Sequence, residues 1–220
     1  MRSSHENTHF LLRRVHSLLG LLPVGGFLCF HMWENSQARF GAAYYNKYIV
    51  EKIQGMNYVH LLEIFVIALP ILFHLLYGCV IWWYGKSNLG NFGYFRNWMW
   101  WVQRISGFGI AAFLTMHVGW TRIWSIWNEQ IAHDMYSHMR VLLSNPITLT
   151  AYILGLVLAI LHLTNGLWTF GITWGITTTP KAQKVSMAIL GAVFLALLFF
   201  GLHGLSGFFF TTNPPPGSIQ

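Results

Sequence analysis

The stretch "AILHLTNGLW", residues 159–168, lies inside an apolar run at 147–176 that contains no Asp, Glu, Lys or Arg. A run of this kind is long enough to cross a bilayer as a helix, which takes about 20 residues. A histidine in its middle must find partners for two ring nitrogens, and hydrocarbon supplies none. What satisfies His162 has to come from other parts of the chain.

Those parts are largely of the same kind. The 220 residues are 55% apolar and 17% aromatic, with 9% charged, where a soluble domain carries roughly a quarter. Apolar stretches at about 15–33, 58–84, 98–127 and 185–210 join the one at 147–176. The expectation is an all-α integral membrane protein: one transmembrane domain over 1–212, built as a five-helix bundle, with a Pro-rich tail at 213–220. The first stretch follows Arg13 and Arg14 and precedes "SQA" at 36–38, as a secretory signal does. At nineteen residues it exceeds the usual 7–15 of a signal's apolar core, so it is expected to be retained.

The net charge of +7 is not a nucleic-acid signal, because Lys and Arg are scattered at the ends of apolar runs. There they orient a membrane protein. Arg2, Arg13, Arg14, Lys86, Arg96, Arg104, Lys181 and Lys184 fall on the N-terminal side; Arg39, Lys47, Lys52, Arg122 and Arg140 fall on the other. The excess predicts a cytoplasmic N-terminus. Cys29 and Cys79 both lie in apolar runs and read as small hydrophobes, and no HExxH, CxxCH or phosphate loop occurs.

Five histidines lie deep in apolar helix: His31, His74, His117, His162 and His203. Ionisable groups inside a membrane are rare and usually functional. Counting 1.5 Å per residue, His31 and His117 fall roughly 5–8 Å from one boundary, and His74 and His162 about 21–24 Å below it. His203 also lies toward the first level, so depth alone leaves His31 or His203 as the partner of His117. Paired neutral imidazoles from facing helices are what a low-spin haem iron takes as axial ligands. Each ring's second nitrogen then remains for a protein acceptor. Gly78 and Gly166 follow His74 and His162 by four residues on the same face, which admits a flat macrocycle or simply packs helices.

The motifs "RRVHSLLGLLPVGGFLCFH", "LEIFVIALPILFHLLYG", "YFRNWMWWVQRISG" with "TMHVGWTR", and "HLTNGLWTFGITWGITTTP" resemble the cytochrome b subunit of succinate dehydrogenase. The likeness is to the dihaem type, in which one five-helix chain forms the whole membrane anchor, and it runs from about residue 10 to 205. It implies two haem b groups, with iron held by His31 and His117 near the outer face and by His74 and His162 nearer the cytoplasm. The fifth helix supplies no ligand in that family, which removes His203. The resemblance further implies a bacterial cytoplasmic membrane, flavoprotein and iron–sulfur partner subunits on the cytoplasmic side, and menaquinone as the quinone. Some dihaem fumarate reductases carry a glutamate two residues before the fourth ligand; here that position is Ile160, which leans the reading toward succinate oxidation.

Two further roles are expected. Glu63 lies 11 residues before His74, three α-helical turns, and is placed to supply protons to a quinone. Arg14, His16, Ser17, Gln103 and Arg104 are expected around the haem, as donors to its propionates. The rival readings are the same subunit in a menaquinol:fumarate reductase, a proton-coupled transporter whose histidines relay protons, and a structural anchor without haem. All four ligand positions are filled, against the last.

Overall fold

The structure, a computed structural model, describes residues 4–210; the tail at 213–220 lies outside the described residues. Among the described residues every regular element is helical. We number the long helices α1 (Glu6–Phe40), α2 (Val59–Tyr84), α3 (Phe95–Val118), α4 (Met135–Ser144), α5 (Pro146–Thr173) and α6 (Pro180–Phe210).

Four of these, α1, α2, α5 and α6, are both long and apolar enough to cross a membrane. The fifth expected span, α3, is long enough at 24 residues. Gln103, Arg104 and His117 lower its apolar character. Large apolar side chains such as Phe65, Leu76 and Phe199 stand exposed along these helices, as they do when lipid is the solvent. The most enclosed is α5: 28% of its most apolar stretch is buried, against 6% in α2 and α6.

Three of the long helices contain or run into a π turn, which takes up one residue more than an α turn. In α1 it is Gly20–Gly25, with Pro23 inside it. In α2 it is Glu63–Ala68, immediately ahead of Pro70 in the next α-helical turn. In the third, Gly119–Ile123 continues α3 into Trp124–Trp127. Proline lacks the amide that would close an α-helical hydrogen bond, and at the first two sites the local winding loosens around it.

The chain divides into two compact units. Of the described residues, the first comprises 4–27, 60–108 and 159–194. Within it, Asn165 on α5 donates to the Met99 carbonyl of α3 at 3.0 Å, and Trp168 donates to the Gln183 carbonyl of α6 at 3.0 Å. Trp174 donates to Ser17 of α1 at 3.1 Å.

Of the described residues, the second unit comprises 28–59, 109–158 and 195–210. Its core gathers Tyr45, Ile49, Tyr136, Met139, Leu143, Tyr152 and Phe208. The segments at 41–58 and 128–145, which join the apolar runs, are largely short helices. Asn128 and Asp134 cap two of them by accepting from the amides of Ile131 and Ser137. Tyr136, Met139 and Leu143 then bury one face of α4 at helical spacing.

The seam between α6 and α1 in this unit is made by Gly201, Gly204 and Gly207. A Cβ on Gly207 would lie 2.6 Å from the Arg39 amide nitrogen, and one on Gly204 would lie 3.2 Å from that of Ser36. His203 lies off this glycine row, exposed, with its ring stacked on Phe199 at 6.3 Å.

Candidate functional site

The structure brings four of the five deep histidines together as two pairs. In the first unit the rings of His74 (α2) and His162 (α5) have centres 6.0 Å apart, with their planes at 82°. In the second, His31 (α1) and His117 (α3) have centres 5.9 Å apart, at 70°. Each pair joins two different helices. His203 belongs to neither.

The second nitrogens of His74, His162 and His117 have hydrogen-bond partners. His74 Nδ1 donates to the His16 carbonyl at 2.9 Å, and His162 Nδ1 to the Gln103 carbonyl at 3.0 Å. In a neutral imidazole, a proton on Nδ1 puts the lone pair on Nε2. The question raised by "AILHLTNGLW" therefore has half its answer in α3, whose backbone accepts from His162. His117 Nδ1 lies 3.1 Å from the Tyr152 hydroxyl, and His31 Nδ1 lies 3.8 Å from the Glu34 carboxylate.

A metal held end-on between two imidazole nitrogens, at about 2 Å each, leaves ring centres roughly 6 Å apart. Both pairs meet that separation. Among the described residues no group of three or more His, Cys, Asp or Glu is gathered where it could hold a metal ion. Two ligands without a third suit an iron whose other positions a macrocycle fills. The residues present thus fit haem.

Other expected residues cluster in the first unit. His16 stacks on His74 with ring centres 3.9 Å apart and planes within 8°. Arg14 lies over Phe10 and Trp174, at 5.0 and 4.9 Å, and Arg104 lies 3.4 Å over Trp100. Arg14 Nη1, His16 Nδ1 and Arg104 Nε are buried with no hydrogen-bond partner, a state that suits donors awaiting an anion. Ser17 accepts from Trp174 and donates to the Arg14 carbonyl. Gln103 returns a bond to the His162 carbonyl at 3.1 Å and accepts from Asn165 at 2.7 Å. A Cβ on Gly78 would lie 3.4 Å from the His16 ring, and one on Gly166 would lie 3.3 Å from the Gln103 side-chain nitrogen.

Residues 86–201 match the family described as succinate dehydrogenase/fumarate reductase transmembrane subunit. The chain is also 39% identical over 202 residues to the succinate dehydrogenase cytochrome b558 subunit of Bacillus subtilis (strain 168), covering 92% of this chain and 98% of that one. The chain belongs to this transmembrane-subunit family. The all-helical architecture and the apolar spans are those of a membrane subunit of an oxidoreductase.

Sequence reasoning missed several residues that shape the histidine pairs in this succinate dehydrogenase/fumarate reductase subunit. Gly20 on α1 faces His74: a Cβ there would overlap the ring. Gly107 on α3 faces His162, whose Cε1 would lie 3.1 Å from a Cβ placed there. Ser106 lies 3.1 Å from His162 Nδ1, and Tyr152 meets His117. Glu63 is placed differently from its sequence spacing. The π turn that begins at Glu63 breaks the three-turn count to His74, and Glu63 pairs with His60 at 3.3 Å. Glu34, outside every sequence expectation, is buried at 6% exposure beside His31.

Proposed function

We propose that the chain is the membrane-anchoring cytochrome b subunit of a succinate:quinone oxidoreductase. It carries electrons from an iron–sulfur partner, itself joined to a flavoprotein subunit, through two haem b groups to menaquinone. His74 and His162 would hold the inner iron, and His31 and His117 the outer one. When bound, haem supplies reversible one-electron chemistry at iron. The observation that carries the reading is the repetition of one geometry: two imidazole pairs from four helices, with ring centres 6.0 and 5.9 Å apart.

The chain's own residues do the remaining work. The carbonyls of His16 and Gln103 orient the inner ligands. Arg14, His16 and Arg104 offer buried, unpartnered donors to the propionates. Glu63, paired with His60, is proposed to hold the proton that quinone reduction consumes. Ile160, fully buried, offers no carboxylate beside His162, which favours succinate oxidation over the reverse direction.

A dithionite-reduced minus oxidised spectrum of the purified complex tests the assignment. Two b-type haems per chain are expected, falling to one in His74→Ala or His162→Ala and to the other one in His31→Ala or His117→Ala. A difference spectrum without b-type haem bands removes the proposal and leaves the transporter or bare-anchor reading. Glu63→Gln should slow quinone turnover with both haem spectra intact.

A further inference from the structure

His117 is held differently from His74 and His162. Their acceptors are backbone carbonyls, whereas His117 Nδ1 faces the phenol of Tyr152 on α5 at 3.1 Å. That phenol is buried, with Tyr152 at 6% exposure, and its own O–H donates to the Met139 thioether at 3.9 Å. With the phenol proton turned to sulfur, the oxygen lone pairs are left for an N–H. Phe113 stacks along the His117 ring at 5.4 Å and 14°, and meets Tyr152 edge-on at 5.3 Å. Gly155 makes room for it, since a Cβ there would overlap the Phe113 ring. The aromatic rings set the tilt of the imidazole, and the phenol oxygen selects its tautomer.

We propose that Tyr152 is the positioning residue of the outer iron ligand: its hydroxyl holds His117 with the proton on Nδ1 and Nε2 directed to iron, and sets how strongly that ligand donates. The inference rests on the assignment of His117 as a haem ligand. Partners of the distal nitrogen raise a ligand's basicity and fix its orientation. Without the hydroxyl, Nδ1–H is unpaired, the imidazole gives less electron density to iron, and the ferric state is stabilised less. The reduction potential of that haem then rises.

The experiment is an optical redox titration of the purified complex, with electron paramagnetic resonance of its ferric low-spin signals. Tyr152→Phe should move the wave of the His31/His117 haem to higher potential and shift one of the two low-spin signals. The His74/His162 wave stays in place and serves as the control for an intact fold. Substituting 3-fluorotyrosine at 152 keeps ring and hydroxyl but weakens the oxygen as an acceptor, and should move the same wave in the same direction by less. If the fluorinated protein matches the wild type in both waves and both signals, Tyr152 is packing only and the proposal fails. That arm decides the matter even where Tyr152→Phe loses haem. His117→Ala is read separately: retention of both haems overturns the ligand assignment itself, whatever Tyr152 does.

Discussion

His162 and Gln103 hold each other across two helices. The histidine's Nδ1 donates to the glutamine's carbonyl at 3.0 Å, and the glutamine's side-chain amide donates to the histidine's carbonyl at 3.1 Å. Asn165 closes the set by donating to Gln103 Oε1 at 2.7 Å. Gln103→Leu keeps the backbone acceptor but leaves the Asn165 amide short of a partner in a buried place. The expected cost is about 1–3 kcal/mol, read as earlier thermal loss of the absorbance assigned to the His74/His162 haem.

Gly20 and Gly107 leave room for the two ring edges. A methyl on Gly20 would overlap His74, while one on Gly107 would sit 3.1 Å from His162. Gly20→Ala should therefore lose one haem per chain by pyridine haemochrome assay. Gly107→Ala should keep both, with a shifted low-spin signal from that site alone.

Arg104 has a buried, unpartnered Nε and stacks on Trp100 at 3.4 Å. A cation near a haem favours the reduced form. Arg104→Gln should lower the potential of the His74/His162 haem and leave the other wave in place, as followed by optical redox titration. Arg104→Lys keeps the charge but not the stacking plane, and should fall between the two.

Asp134 caps α4 by accepting from the Ser137 amide at 3.1 Å, and it also accepts from the Asn46 side chain at 2.6 Å. Partial burial pushes its carboxyl up, but the bonds from Ser137 and Asn46 outweigh this and hold it below the usual carboxylate range. A depressed folded-state value gives stability that is full above the unfolded value, about 4, and is lost as pH falls through the folded one. Asp134→Ala should cost about 1 kcal/mol at neutral pH. In thermal melts of the complex, its deficit against the wild type should shrink as the pH drops below about 4.

Imidazoles in uncharged apolar runs have few explanations, and counting residues from span ends put His74 level with His162; the same count left His31 or His203 beside His117, and the family resemblance made that choice. Their anchors were not legible. A backbone carbonyl has no residue signature, so nothing in "YFRNWMWWVQRISG" marks Gln103 as the acceptor for His162. Nor could 21 glycines be ranked without knowing which helices touch, so Gly20 and Gly107 went unmarked. The helices at 42–54 and 129–144 were concealed by their polar content. Asn128, Asp134 and the spacing of Tyr136, Met139 and Leu143 were the available signs.

The π turn at Glu63–Ala68 holds one residue more than ordinary winding needs. Deleting a residue there would let the turn tighten while the segments on either side kept their phase about the helix axis. His74 would keep its seat against Gly20, and His60 its own side of the helix. The same deletion within the regular winding of Leu69–Tyr84 would turn one end against the other by about 100°. Such a rod carries slack at one place only, and a lost link is absorbed there and nowhere along the α-helical part that follows.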